Sequence, residues 1–332
     1  MPYAFSLHRH TKEITRNHRV YTIRMIQTHF TLRFGSAVLI LSTLIVQDGL
    51  AWGNYGHQMI NRLAGAALPT DVPKFLRSES ALDALAYYAP EPDRWGSPTE
   101  PELKAVQEPE HFINLEYADL VGELPRQRYD FVRALATAQL AHPDLPLLPE
   151  QVGLQPYIAT ELWERLKTSM REYRRLNGAK QNTKPVECEI TFLAGWLGHY
   201  VADGSQPLHT SFKYNGWMGP NPNGYTTGHH IHALFESAYV ATNLKASNVS
   251  PLVAVTPVLL DDVFTDYVAY LRHSHTLIET VYQLEKVGAF AGAGTAAGKE
   301  LVVQQLAAGA TELRNMIYTA WVRSADPIPS RH

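Results

Sequence analysis

Two histidine–carboxylate pairs at helical spacing constrain this chain more than any other feature. In the first pair, His199 precedes Asp203 by four residues, and His209 follows six residues further on. The second pair joins His232 and Glu236 at the same spacing. Residues four apart share one face of a helix, so each pair can hold one metal ion between its side chains. Imidazole and carboxylate are ligands that suit zinc, and the pattern therefore predicts a polynuclear metal centre on helices.

The composition is that of a globular protein and disfavours one class of function. The 332 residues are 45% hydrophobic and 18% charged, which suits one large domain or two small ones. A formal net charge of −3 argues against a nucleic-acid binder that works through a basic surface. It leaves open an enzyme that holds phosphates through metal ions. The single cysteine, Cys188, excludes an internal disulfide and is expected to be a small buried helix residue.

Residues 1–51 have the pattern of a secretory signal peptide. Within them, residues 36–46 form an uncharged apolar stretch that is short for a membrane span and typical of a signal-peptide core. Cleavage after Ala51 predicts Trp52 as the mature N-terminus and a protein exported to the periplasm or the medium. A membrane anchor is the competing interpretation. The leader is long if counted from Met1, and Met25 would give a more usual length.

Hydrophobic periodicity predicts an all-α fold, with one domain over residues 52–332. Helices are predicted over residues 52–68, 71–88, 128–141, 155–177, 186–204 and 229–243, and over much of 255–285 and 296–323. Residues 89–110, rich in proline and glutamate, and residues 213–228, rich in glycine and proline, predict irregular segments.

Further candidate ligands rest on weaker grounds. Asp93 and His111 lie in the predicted irregular segment and at its end, where binding residues are common, although each alone is more typical of a surface or capping residue. His57 lies five residues after Trp52. A free amine and its own carbonyl can chelate a metal ion, so ligation by Trp52 depends on cleavage after Ala51.

Three neighbouring histidines compete for one ligand position. Only His232 has a carboxylate four residues further along the chain, so His232 is the predicted ligand. His229 and His230 are expected to face solvent or to support the ligands from behind.

Together these residues resemble the superfamily of zinc-dependent phospholipases C and single-strand nucleases. The motifs extend from Trp52 to about residue 240, and the most specific is Gly198-His199-x3-Asp203-x2-Gln206-Pro207-Leu208-His209. The resemblance implies an all-helical fold and three zinc ions. One zinc would be held by Asp93, His111, His199 and Asp203. A second would be held by His209, His232 and Glu236. The third would be held by the amine and carbonyl of Trp52, by His57 and by the other oxygen of a bridging Asp203.

Details of the motifs favour the nuclease branch, of the S-one/P-one type. In that branch, the aromatic residue after the histidine stacks on a base and the residue two positions further hydrogen-bonds it, which implies these roles for Phe112 and Asn114. Nucleases usually have aspartate at the second position, so the base preference stays open. The family's phosphate-binding arginine falls three residues after the first aspartate, whereas Arg94 follows Asp93 directly and is the candidate here. Glu236 is instead similar to the phospholipase branch.

The leading hypothesis is an exported zinc-dependent phosphodiesterase that cleaves P–O bonds in single-stranded DNA or RNA and in 3′-nucleotides. Asp203, as the bridge, and Asp93, as a ligand that orients the attacking water, are the expected catalytic residues. Recognition by stacking would favour unpaired strands, and no obligate protein partner is implied. A phospholipase C acting on phospholipid head groups is the alternative. A non-catalytic, zinc-stabilised binding protein is a further one.

Aromatic residues in the glycine-rich segment are candidates for a second stacking site. They are Tyr214, Trp217 and Tyr225. Packing within the segment is an equally good interpretation of all three.

Overall fold

The regular structure in the described part of the chain is helical. The computed structural model describes residues 52–328, so the predicted signal peptide and the alternative start at Met25 lie outside these residues. Within the described range, an isolated antiparallel bridge between Ile113 and Gly153 is the one pairing of β type. The predicted all-α class is confirmed.

Fifteen α-helices follow one another between residues 53 and 323. They are α1 Gly53–Ala66, α2 Glu79–Tyr88, α3 Glu91–Trp95, α4 Pro101–Gln107, α5 Leu115–Ala118, α6 Arg128–Ala141, α7 Pro149–Val152, α8 Gln155–Gly178, α9 Lys184–Ser205, α10 Ile231–Ala233, α11 Tyr239–Asn243, α12 Ala246–Val249, α13 Val263–His275, α14 Ile278–Lys286 and α15 Ala296–Arg323. Short 3-10 turns occupy Lys74–Arg77, Glu108–His111, Asp119–Val121, Pro207–Thr210 and Ser250–Leu252. A π-helical turn, Leu234–Ala238, separates α10 from α11 within the single helix predicted over residues 229–243.

The expectation that residues 89–110 are irregular is wrong. Helices α3 and α4 and a 3-10 turn occupy most of this segment, and each has a proline in its first two positions: Pro92, Pro101 and Pro109. The first turn of a helix does not need the amide hydrogen that proline lacks, and the fixed φ of proline suits it. The prolines therefore begin helices here instead of interrupting them.

The helix predicted over residues 71–88 is divided in two. Ser78 has an extended backbone, and its Oγ accepts a hydrogen bond from the amide of Ala81 at 3.3 Å. A serine in this position caps a new helix, so α2 begins at Glu79 and the residues before it form a separate 3-10 turn.

Helix α9 is the central element of the fold. It packs against α1, α2, α8, α13 and α15, and its second half is buried on all sides. Asn61 of α1 fixes one of these contacts, because its Nδ2 donates to the carbonyls of Leu85 at 3.1 Å and Gly195 at 2.8 Å. Glycine is required at Gly198, where a Cβ atom would lie 2.2 Å from Asn61 Oδ1. The polar contact thus sets the position of α9 relative to α1 and α2.

An apolar segment before α13 has no regular secondary structure, although part of it lies in a region predicted to be helical. The amides of Val258 and Leu260 donate to side chains of α15, Asn315 Oδ1 and Thr319 Oγ1, both at 3.0 Å. The buried Arg314 donates to the carbonyls of the same segment. Backbone groups that are paired in this way are not available to a helix.

Cys188 is exposed on α9, so the expectation that it is buried is wrong. The buried positions of that turn are Val186 and Ile190 instead.

Among residues 52–328, no helix combines the length and the apolar character needed to cross a bilayer.

The carboxyl group of Glu312 on α15 predicts a pH-dependent stability. Burial, followed by the neighbouring Asp266, raises the pKa of Glu312 to about 7, against smaller opposing effects of Asn315 and Arg314. An acid with a raised pKa is protonated in the folded state, so its contribution to stability is lost as the pH rises from its ordinary pKa through about 7. The substitution Glu312→Gln should therefore raise Tm more at pH 8 than at pH 5.

Thermal unfolding of both proteins, followed by circular dichroism at the two pH values, measures this difference. An equal change in Tm at pH 5 and pH 8 would contradict the assignment.

Candidate metal centre

Side chains predicted as ligands converge in three groups among the described residues. The groups are His57, Asp93 and His199; His111, His199 and Asp203; and His209, His232 and Glu236. Within each group the ligand atoms all lie within 4.8 Å of one another. His199 belongs to two groups, so those two are contiguous.

The carboxylate of Asp203 lies between imidazoles of both contiguous groups. Its Oδ1 is 3.4 Å from Nε2 of His57. Its Oδ2 is 3.3 Å from Nδ1 of His111 and 3.3 Å from Nε2 of His199. The two oxygens thus face different partners, which is the geometry that a carboxylate shared between two ions requires.

The central helix and the turn after it explain how these residues meet. His199 and Asp203 lie one turn apart on α9, which ends at Ser205. Gln206 then accepts a hydrogen bond from the amide of Leu208 at 2.7 Å and begins the 3-10 turn that contains His209. The same Gln206 side chain donates to Oε2 of Glu236 at 3.0 Å. One glutamine therefore orients the turn and a carboxylate of the third group.

The third group is formed by the 3-10 turn and by the irregular helix after residue 230. Nε2 of His232 lies 3.0 Å and Nε2 of His209 lies 3.6 Å from Oε2 of Glu236. The π-helical turn contains Glu236, and the four-residue spacing still places both side chains together.

Asp93 and His111 join the centre from α3 and from the 3-10 turn before residue 112. Oδ1 of Asp93 lies 3.6 Å from Nε2 of His199 and 3.9 Å from Nδ1 of His111. The amide of Ile113 donates to the carbonyl of His209 at 2.9 Å, which joins the His111 segment to the turn after α9.

Backbone carbonyls fix the orientation of three imidazoles. Nδ1 of His199 lies 2.9 Å from the carbonyl of Ala89, that of His209 lies 2.7 Å from the carbonyl of His111, and that of His232 lies 3.1 Å from the carbonyl of Tyr214. A carbonyl can only accept, so each Nδ1 carries the proton and each Nε2 presents a lone pair to the centre. This arrangement is common around metal ions bound by histidine.

The polar atoms in the centre fit a divalent metal ion. Asp203 and Glu236 are fully buried, yet among the residues that the structure describes no hydrogen bond reaches either oxygen of Asp203, Oδ2 of Asp93 or Oε1 of Glu236. Burying unpaired carboxylates is costly, and a bound cation removes that cost. Nε2 of His209 also faces Nε2 of His232 at 3.2 Å, so two lone pairs point at each other.

The pKa shifts of the contiguous groups favour the ligating form of histidine. Burial lowers the pKa of His199 well below its usual value and that of His111 to about 3. Neutral imidazole is the form that binds metals. Burial also raises the pKa of Asp203 and of Asp93, because each carboxylate loses its hydration next to the other one.

In the third group the adjacent imidazoles favour the ionised form of the carboxylate. Burial would raise the pKa of Glu236, but the adjacent imidazoles of His232 and His209 outweigh it and lower the pKa to about 2. Burial likewise opposes the charged form of His232, yet Glu236 raises its pKa. The glutamate is therefore ionised and available as a ligand.

Trp52 lies against the helix end that contains Asp203. It is fully buried, and its indole Nε1 donates to the carbonyl of Ala202 at 2.7 Å and to Oγ of Ser205 at 3.0 Å. The imidazole of His57 stacks on that of His199 with ring centroids 4.2 Å apart. Cleavage after Ala51 lies outside the described residues, so ligation by the amine of Trp52 stays a prediction.

A cavity of about 560 Å³ opens onto the centre. Its lining includes the ligands Asp93, His111, His209 and His232 and the aromatic residues Phe112, Tyr117, Phe212 and Tyr214. Asn114 also lines it, with its Nδ2 donating to the carbonyl of Gln151 at 2.7 Å. The charged residues at the cavity apart from the ligands are Lys104, Glu108 and Glu150.

The other predicted substrate residue, Arg94, is directed elsewhere. Its guanidinium pairs with Glu91 and lies 4.7 Å from the ring centroid of Tyr87. Arg94 is not among the described residues that line the cavity. His229 and His230 are exposed, and Nε2 of His230 lies 3.4 Å from Glu285.

The aromatic residues of the glycine-rich segment divide into two roles. Tyr214 lines the cavity and is 54% exposed, so its ring is accessible to a substrate. Trp217 instead packs against Tyr225 and Tyr282, with ring centroids 4.7 and 5.1 Å away. Sequence reasoning missed Tyr117 and Phe212, which stack at 4.9 Å beside the cavity; the position of Phe212, three residues after His209, is the one signal for them.

No model of a known protein family matches the chain, and no curated protein sequence matches it. A solved structure with some likeness is the alpha-toxin of Clostridium perfringens from avian strain SWCP, with 11% identity and a TM-score of 0.38. The alignment covers 83% of this chain and 65% of the toxin, so the chain spans less than two thirds of the toxin's length. The role of the centre is therefore argued from its own geometry.

Removal of His199 tests whether the groups bind metal. Because His199 belongs to two groups, His199→Ala should lower the metal content of the purified protein by at least one ion per chain, as measured by plasma mass spectrometry. The matched control is His229→Ala, which removes an exposed imidazole close to His232 in sequence and should keep the full content. Equal metal contents in the two variants would contradict the ligand assignment.

Proposed function

We propose that the protein is a metal-dependent hydrolase of phosphate esters with zinc as its cofactor. The observation that carries the proposal is the buried carboxylate of Asp203 between the imidazoles of His57, His111 and His199, beside an open cavity. Bound zinc supplies Lewis acidity, which lowers the pKa of water and neutralises phosphate oxygens. Because Nε2 of His199 can bind one ion only, the two contiguous groups would divide their ligands as the resemblance implies. Asp93, His111, His199 and one oxygen of Asp203 would hold one ion, and His57, the other oxygen of Asp203 and the amine and carbonyl of Trp52 would hold another. His209, His232 and Glu236 would hold the third.

The carboxylates of the chain have distinct roles in this proposal. Asp203 would hold two ions together, since its two oxygens face different groups. Asp93 lines the cavity, and its Oδ2 accepts no hydrogen bond from the described residues. In the proposed reaction that oxygen would accept a hydrogen bond from the attacking water and so orient it towards the phosphorus atom.

The chemistry of the cavity favours a phospholipid head group as the substrate. Its rings, Phe112, Tyr117, Phe212 and Tyr214, combine with the carboxylates of Glu108 and Glu150. Aromatic faces and carboxylates together suit an ammonium or quaternary ammonium group. Such a cation is attached to the phosphate in phosphatidylethanolamine and phosphatidylcholine. We therefore propose a phospholipase C that cleaves the phosphodiester on the glycerol side.

Single-stranded nucleic acid is the second candidate substrate. The exposed ring of Tyr214 and the ring of Phe112 offer faces on which bases can stack. Two features oppose it. Among the described lining residues, Lys104 is the single lysine or arginine, and Glu108 and Glu150 would repel a polyanion.

Hydrolysis assays separate these candidates. Purified protein lacking residues 1–51 should release phosphocholine from short-chain phosphatidylcholine, lose this activity on chelation and regain it with zinc. Single-stranded DNA, RNA and 3′-nucleotides serve as parallel substrates. Cleavage of these without release of phosphocholine would establish the second candidate. Full metal content without cleavage of any substrate would contradict the proposed function and support a zinc-stabilised binding protein.

Substitution of a charged residue in the cavity lining tests which substrate the cavity binds. Glu150 is exposed at the lining and is not a ligand. Replacing it in Glu150→Gln removes a negative charge, so KM should rise for phosphatidylcholine and fall for single-stranded DNA. An unchanged or lower KM for phosphatidylcholine would contradict the binding of its ammonium group beside this carboxylate.

A further inference from the structure

Backbone carbonyls at the end of α9 receive hydrogen bonds from side chains of other helices. The carbonyl of Tyr200 accepts from the hydroxyl of Tyr267 at 2.9 Å and from Nε2 of Gln155 at 3.1 Å. The next carbonyl, of Val201, accepts from the hydroxyl of Tyr270 at 2.8 Å. These donors come from α8 and α13, and Gln155 and Tyr267 are fully buried.

The same pattern continues to the last residue of the helix. The carbonyl of Ala202 accepts from the indole of Trp52, and that of Ser205 accepts from Nε2 of Gln305 at 2.7 Å. The last four carbonyls of a helix have no amide partner within it and form its negative end. Those of Ala202 and Ser205 belong to this set, and those of Tyr200 and Val201 precede it directly. Asp203 adds a buried carboxylate at that end. Neutral donors at these carbonyls reduce the negative potential there without supplying a cation that would compete with a metal ion.

Gln155 connects two of the segments that contain ligands. Its Nε2 donates both to the carbonyl of Tyr200, next to His199, and to the carbonyl of His111 at 3.1 Å. The carbonyl of His111 also accepts from Nδ1 of His209. A single amide nitrogen therefore fixes the separation of the His111 segment from α9, and His209 is oriented by the same carbonyl.

We propose that Gln155 and Tyr270 are positioning residues for the metal centre. Gln155 holds the segment of His111 at the separation from α9 that metal binding requires, and Tyr270 fixes the end of α9 that contains His199 and Asp203. The proposal rests on the metal centre of the proposed function but not on the identity of its substrate. Neither side chain is among the ligand groups. Their effect on metal binding acts through backbone carbonyls.

Zinc affinity of three variants tests this proposal. Gln155→Met keeps the length of the side chain and removes both donors, and Tyr270→Phe removes a hydroxyl. The control is Tyr157→Phe, because the hydroxyl of Tyr157 also donates to a carbonyl, that of Pro125 at 2.9 Å, away from the ligand groups. Competition with a chromophoric chelator should show a loss of affinity of about 10- to 100-fold for the first two variants and none for the control.

The stability of the metal-free and the zinc-loaded protein separates positioning from a general structural role. For Gln155→Met and Tyr270→Phe, the increase in Tm on adding zinc should be smaller than for the wild type. A residue with only a structural role would lower both Tm values and leave the increase unchanged, as expected for Tyr157→Phe. If Gln155→Met does not fold, Tyr270→Phe, which removes one oxygen atom, decides the question.

Two results would overturn the proposal, and they can be told apart. Wild-type zinc affinity in Tyr270→Phe would overturn it alone and leave the proposed function intact. A wild-type protein that binds no zinc would overturn it together with the proposed function.

Discussion

The buried carboxylate of Asp203 is the interaction on which the rest of the structure depends. It lies at the end of the central helix, without exposure, and within residues 52–328 it accepts no hydrogen bond. An ionised carboxylate buried in this way needs a compensating charge, and neutral imidazoles do not supply one. The surrounding elements are arranged accordingly: α1 contributes His57, α3 contributes Asp93, and the turn before Phe112 contributes His111. A bound cation is the simplest compensation that all of these contacts allow.

The sequence predicted the long helices well because their periodicity is local. Helix α6 has the predicted bounds, α8 and α9 differ from theirs by one or two residues at an end, and α15 lies in the last region predicted to be helical. The errors have two kinds of cause. The segment around Val258 forms no helix because α15 takes its amides, which is not visible in a window of neighbouring residues. In the proline-rich segment the signal is local, because Pro92 and Pro101 lie in the first turn of helices where proline is favoured.

For the site, spacing along a helix predicted which side chains can share an ion, and the structure brings those pairs together. Spacing could not reveal what orients them. The acceptors that fix three imidazoles are the carbonyls of Ala89, His111 and Tyr214, and a backbone carbonyl leaves no signature in a sequence. Spacing likewise does not reveal that side chains of α8 and α13 donate hydrogen bonds to carbonyls at the end of α9. The substrate cannot be read from spacing either, because the residues around the cavity come from separate segments of the chain.

The most direct test of the account is the location of bound metal. A crystal of the zinc-loaded protein, with anomalous diffraction recorded on both sides of the zinc absorption edge, would place each ion. The account predicts one ion between His209, His232 and Glu236 and two ions in the contiguous groups, with the two oxygens of Asp203 coordinated to different ions. Zinc bound only elsewhere, or an Asp203 carboxylate without a coordinated ion, would contradict it.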